Sequence, residues 1–266
     1  MNKEQLLGSQ TAKNGFLNEG DIVNKFNAWN TDEDAQKWLL IMQYDLSEIK
    51  YVNALILSGF KTDVQVQVTI KLKKAIDVQN LQVKLVSNLR GFNQIDKRWV
   101  DKYVEMWDIP SPIASVIKRY TGEIAPSITK PRDKRRMFAD EFSETEQTQI
   151  LSWLNKNKSL IVSDILKGRG QFSAEWMLVA QKTKTNSRWI LKPMNFCLNH
   201  FGNDEIEITT RGNFKIGRIT MQRKGGDGGR NTANMLQFKI NPAELFDINQ
   251  QPPSTSPKQQ RQSVQC

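Results

Sequence analysis

The chain has 266 residues, and 38 Lys and Arg against 28 Asp and Glu give a formal net charge of +10. The length suits one large domain or two small ones, and a basic excess of this size points to a polyanionic partner, because Lys and Arg contacts release counterions from nucleic acid. Two cysteines, one at the last position, exclude a disulfide framework or zinc cluster, and without an apolar run near a membrane span or signal-peptide core the chain reads as cytoplasmic.

Residues 1–15 are polar and Gly-punctuated and read as a short lead-in. Phe16, Leu17, Ile22, Val23, Phe26 and Trp29 then recur at helical spacing. Glu19 lies off that apolar face near the expected helix start. There it either meets the N-terminal helix dipole or points across to a site on a neighbouring element. Thr31 and Asp32 cap a second predicted helix with Glu33 and Asp34 in its first turn. Val52 to Leu57 reads as a buried strand.

The stretch from Ser58 to Lys84 is the organising element of the chain. After Asp63, Val64, Val66, Val68 and Ile70 alternate with Gln65, Gln67, Thr69 and Lys71, the period of a half-buried strand. A polar reversal through Lys73, Lys74, Asp77, Gln79 and Asn80 leads to a second strand from Leu81. Leu81, Val83 and Leu85 share one face there, so Gln82 and Lys84 share the other. Two adjacent strands can bring Asp63, Gln82 and Lys84 to one sheet edge. An acid, an amide oxygen and an ammonium together suit Mg²⁺ and a phosphodiester; the competing reading is two amphipathic strands with polar outer faces.

From Asn88 a loop is expected, carrying Phe92, Asn93, Gln94 and Lys97. Amides read base edges and an aromatic ring stacks or wedges between bases; alternatively Phe92 anchors the loop to the core. Trp99 to Tyr120 reads as helix broken by Pro110 and Pro112. Residues 121–136 form a loop whose cluster of Lys130, Arg132, Lys134, Arg135 and Arg136 is a solvated face or a phosphate clamp. Ser143 and Glu146 resemble a capping box. Leu160 to Leu166 is helix or strand, AEWMLVAQ and SRWILKPM are strands, and Met194 to Phe201 is a short helix. His200, the single histidine, is assigned no role.

Lys215 to Gln222, a Gly-rich turn and Met235 to Ile240 read as a long hairpin bearing Arg223, Lys224, Arg230, Asn234, Gln237 and Lys239. Arg and Lys suit guanine O6 and N7, while Gln and Asn suit adenine or phosphate. The turn lacks the GxxxxGK[ST] order of a P-loop. Residues 249–266 are Pro, Gln and Ser-rich and read as a disordered tail after a single domain over 1–248.

The blocks SGFKTD, LQVKLVSNLRGFNQIDKRW, RDKRRMF, DILKGRG, AEWMLVAQK, RKGGDGGRNTANMLQFKI and ELFDI resemble a GCGC-recognising, HinP-type restriction endonuclease, a type II enzyme of the PD-(D/E)XK nuclease superfamily. The similarity runs from about Leu7 to Ile248. It implies an α/β fold with a PD-(D/E)XK-type core, a mixed central sheet flanked by helices. It also implies Mg²⁺-dependent double-strand cleavage of duplex DNA inside a short palindrome, GCGC. On that resemblance Asp63 is the motif acid and Lys84 the motif lysine. Gln82 stands where Asp or Glu is usual, and Glu19 matches the helix acid. Asp63 and Gln82 would hold the metal. A cognate DNA methyltransferase and a homodimer on the two-fold palindrome are the further partners implied. A neutral Gln82 binds metal more weakly than a carboxylate would. Two other readings stay open: a basic nucleic-acid-binding protein that does not cleave, and a repair or junction nuclease of the same fold.

Overall fold

The computed structural model describes residues 3–57, 66–87, 91–183, 187–226 and 229–248. Asp63 and the 249–266 tail lie outside them, so the expectations placed there have no structural counterpart.

Helix α1 spans Lys3–Asn27. The expected lead-in is therefore helical: residues 3–15 hold no proline, and their Glu, Gln, Leu, Ala and Lys sustain the backbone pattern without an apolar stripe. Helix α2 is Glu33–Ile41, and Asp32 caps it by accepting from the Ala35 amide at 2.9 Å.

Among the described residues ten strands build two five-stranded sheets. The first contains β1 (Ile49–Ile56), β2 (Val66–Leu72), β3 (Ile76–Val86), β5 (Trp176–Lys182) and β6 (Ser187–Pro193), in the order β1-β2-β3-β5-β6. β3 and β5 run parallel and the other neighbours antiparallel, the expected mixed sheet. The reversal between β2 and β3 is shorter than expected. Ile76 already pairs with Lys71, and Leu81 pairs with Val66.

The second sheet holds β4 (Asn93–Arg98), β7 (Ile206–Ile208), β8 (Phe214–Ile216), β9 (Ile219–Arg223) and β10 (Leu236–Ile240). Its order is β4-β10-β9-β8-β7, antiparallel throughout. β4 replaces the expected loop. Its residues are mostly polar, so pairing with the distant β10, Leu236 opposite Arg98, decides its form and not local propensity. The predicted hairpin is β9 against β10, with β8 split from β9 at Gly217.

Helices α1 and α2 cover one face of the first sheet, where Ile22, Phe26, Trp38 and Leu39 pack with Val66, Val68, Leu81 and Val83. The larger core joins the two sheets through α3 (Val100–Trp107), α4 (Ser111–Thr121), α5 (Glu144–Leu166) and α6 (Met194–Gly202). It includes Val86, Met177, Val179, Tyr103, Ile161 and Phe238. A short α7 (Glu244–Asp247) closes the described chain. No described helix is long and apolar enough to cross a membrane.

The Ser143–Glu146 capping box is present at the start of α5, and Leu160 to Leu166 is that helix's last part. Glu146 also binds Arg119 at 2.6 Å. Ser143→Ala is expected to lose about 1 kcal/mol, a fall of roughly 2–4 °C in melting temperature. Ser143→Asp should hold the wild-type value. Equal melting of all three would mean the cap does not stabilise α5.

Candidate active site

Strand β3 sets the site. Leu81 and Val83 point into the core beneath α1 and α2, and Val86, two residues beyond Lys84, joins the other core. Gln82 and Lys84 share that second face by alternation, opposite Met177 and Val179 of β5, which belong to the same core. The polar face expected to be an outer one is therefore covered. Gln82 is 2% exposed and Lys84 5%. A surface role for these two residues is inconsistent with that burial.

Burying an ammonium costs several kcal/mol unless hydrogen-bond acceptors meet it. Lys84 Nζ donates to the Gln94 carbonyl on β4 at 3.3 Å, one of its contacts. This bond ties the strand of the first sheet that carries the polar pair to the leading end of the second sheet. The Gln82 Oε1 atom is buried and accepts no hydrogen bond among the described residues.

Glu19 comes from α1. The helix begins at Lys3, so Glu19 lies well beyond the first turn, outside the reach of the N-terminal dipole. That reading is removed. Glu19 is 7% exposed and opens on a cavity of about 240 Å³ that Asn18, Lys84, Asn93 and Gln94 also line. The helix acid, the strand lysine and the start of β4 thus meet around one space.

A divalent cation fits part of this donor set. An amide oxygen is a hard ligand suited to Mg²⁺, and a buried acceptor without a donor is what a cation would satisfy. Among the described residues no three His, Cys, Asp or Glu side chains group as a metal site. Gln82 is not among the residues that line that cavity, and a centre on its amide oxygen would need a carboxylate from outside the described residues.

The residues expected to touch DNA fall into two places. Phe92 stands 56% exposed just before β4, and Gln94 and Lys97 are exposed on that strand. Asn93 is half-buried, and its Nδ2 donates to the Gly91 carbonyl at 3.3 Å. β4 is held from below: Asp96 accepts from Tyr103 Oη at 2.5 Å and pairs with Arg98 at 2.9 Å.

The hairpin residues form the second place. Arg223 donates to the Thr121 carbonyl at 2.9 Å and to Asn234 Oδ1 at 2.7 Å, while Asn234 Nδ2 donates to the Gly122 carbonyl at 2.9 Å. These bonds fasten the hairpin to the end of α4, where Gly122 has φ +87° and a Cβ would lie 2.5 Å from the Arg135 carbonyl oxygen. Arg223, Arg230 and Asn234 line a cavity of about 420 Å³ with Lys134 and Arg135. Burial, then the charges of Arg135 and Arg136, lower the pKa of Arg223. Lys224 is half-buried, and burial pushes the Lys239 ammonium pKa down. Gln237 is 2% exposed and donates to the Lys224 carbonyl at 3.3 Å.

The basic run at 130–136 is partly neutralised within the protein. Arg132 pairs with Asp140, Arg135 with Asp133 at 2.9 Å, and Arg136 stacks 3.9 Å over Phe138. Lys130 and Lys134 remain exposed. His200 meets Glu244 at 3.3 Å, away from both cavities.

Sequence reasoning passed over Asn18. The signal available was its position on α1, four residues after Asn14 and beside Glu19, which places these residues on one flank of the helix.

Three comparisons bear on what this arrangement does. A family model described as R.HinP1I restriction endonuclease matches residues 42–246. The crystal structure of the restriction endonuclease MspI in complex with its cognate DNA superposes with a TM-score of 0.61 and 14% identity, over 90% of this chain and 93% of that one. At that identity the likeness concerns the fold alone. No curated protein matches the chain.

Proposed function

We propose, for a chain that belongs to the R.HinP1I restriction endonuclease family, Mg²⁺-dependent double-strand cleavage of DNA at a short palindrome, GCGC. That it is a restriction endonuclease, a type II site-specific nuclease, follows from the family. The metal, the target sequence and the residues are our reading. The observation that carries it is the buried Gln82 Oε1, which has no donor among the described residues, on the strand face that also presents the buried Lys84.

Asp63 and Gln82 would hold the ion. Asp63 lies three residues before β2, whose first residue Val66 pairs with Leu81, the neighbour of Gln82. Mg²⁺ there would polarise the scissile phosphate and lower the pKa of a bound water. Lys84 would orient that water and offset charge growing on the phosphate oxygens. Glu19 would anchor a second ion or its water shell from the cavity it shares with Lys84. Phe92, Asn93, Gln94 and Lys97 enter a groove and read base edges. Arg223, Lys224, Arg230, Asn234, Gln237 and Lys239 form or brace the hairpin that meets the other part of the target. Guanines dominate GCGC, so the cationic donors contribute most of the discrimination.

One endonuclease domain over 1–248 is the unit of this activity, working in the cytoplasm beside a methyltransferase that protects the same palindrome. A two-fold target invites a homodimer.

A digest of a mapped plasmid tests the reading. Full-length protein with Mg²⁺ should give a discrete ladder whose fragment ends lie at GCGC. EDTA should abolish the ladder, and prior methylation of GCGC should protect the plasmid. A smear would remove the specificity, and binding without cutting under Mg²⁺ or Mn²⁺ would remove the metal-dependent chemistry.

A further inference from the structure

The cavity of about 420 Å³ between the glycine-rich turn and the end of α4 is ringed by cations. Lys134, Arg135, Arg223 and Arg230 line it, and no acid among the described residues does. Asp133 offsets only Arg135, whose Nε and one terminal nitrogen donate to it at 2.9 Å each. Lys134 and Arg230 stand exposed. Arg223 is turned inward: its Nε donates to the Thr121 carbonyl and a terminal nitrogen to Asn234 Oδ1. Burial and the charges of Arg135 and Arg136 lower its pKa, the mark of a positive field that Asp133 does not cancel. Gly226 and Gly229 on the rim have φ of +58° and +86°, and a Cβ on either would meet nothing within 4 Å. Glycine there serves the backbone path and leaves the rim bare, so a ligand can approach the main chain closely.

Like charges held around one space repel one another, and a compact anion relieves that repulsion at several donors at once. We infer that this cavity is a backbone clamp, in which Lys134 and Arg230 donate to a phosphodiester of the bound duplex. Arg223 and Asn234 are positioning residues that fix the clamp to the end of α4. The inference rests on the reading of the hairpin as a DNA contact, and it does not depend on the metal. A phosphate carries no sequence, so these cations fix the register of the duplex and leave discrimination to side chains that reach base edges. The basic run at 130–136 thereby supplies a DNA contact through Lys134, while Arg132 and Arg136 stay with the Phe138 ring.

Anisotropy titrations of the full chain in EDTA test it, on a GCGC duplex and a scrambled one across a series of KCl concentrations. Lys134→Gln and Arg230→Gln should each flatten the slope of log Kd against log salt by about 1 and weaken both duplexes alike. Arg132→Gln, in the same basic run, should keep the wild-type slope. Unchanged slopes in both clamp variants would overturn the inference. So would a loss confined to the GCGC duplex, which would make the contact one to a base, or an equal change in Arg132→Gln, which would make it a diffuse field. Inorganic phosphate at matched ionic strength should displace the duplex no better than chloride does. Stronger displacement that both variants lose would give the cavity to the free ion and overturn the clamp. Wild type that binds neither duplex would sink the DNA contact beneath the inference. The expected slopes without a ladder in the plasmid digest would sink the cleavage reading and leave the clamp standing.

Discussion

Asp63→Ala cuts plasmid DNA at least about 10³-fold more slowly than wild type, yet binds a GCGC duplex as tightly or more tightly. The loss is large because the only charged ligand we assign to the ion disappears, and Gln82, a neutral oxygen donor, cannot hold Mg²⁺ against water alone. Binding survives because it depends on Lys and Arg contacts to phosphates. Removing a negative group near the backbone takes away repulsion. Single-turnover cleavage together with a gel-shift titration separates the two effects. Loss of binding and cleavage together would point to a folding defect, and unimpaired cleavage would remove Asp63 from the site.

Phe238→Ala should be the most damaging core change among these. Its ring is fully buried in β10 and meets Tyr103 edge-on at 5.5 Å and Trp107 at 5.9 Å. Truncating such a ring leaves a cavity and costs about 3–5 kcal/mol, a large part of a typical total stability of about 5–15 kcal/mol. At roughly 2–4 °C per kcal/mol the melting temperature falls by about 6–20 °C. Phe238→Leu should lose markedly less. Denaturant unfolding measures both, and a loss below about 1 kcal/mol for the Ala variant would contradict the packing described.

The alternation that pairs Gln82 with Lys84 survives in β3, and the Asp32 and Ser143 caps survive at α2 and α5. These depend on side-chain spacing or on contacts within a few residues, which local sequence displays. What could not be read was whether the polar face of β3 meets solvent. Its surroundings come from Met177 and Val179, about a hundred residues on, and from β4, whose Gln94 carbonyl meets Lys84. β4 was hidden for the same reason: Asn93, Gln94, Asp96, Lys97 and Arg98 look like a loop until Leu236 to Ile240 pair with them. Gln237 is the reverse case. A polar residue in a basic hairpin suggests a DNA contact, whereas its side chain sits inside and donates to β9 and the turn beside it.

β3 waits for β5 to complete its edge, since Leu81 pairs with Trp176, and β4 has no strand neighbour among the described residues other than β10, with Arg98 against Leu236. During synthesis, at roughly 5–20 residues per second, the first gap lasts about 5–20 s and the second about 7–28 s. Such distant pairings also slow refolding, because loop-closure entropy is lost before the contacts form. A chain still on the ribosome therefore holds Gln82 and Lys84 on a sheet without β5, with Gln94 and Lys97 lacking their partner strand. Scission anywhere between Arg98 and Leu236 puts the halves of the second sheet on separate fragments. Neither sheet can be completed on the nascent chain before Trp176–Lys182 and then Leu236–Ile240 have been made.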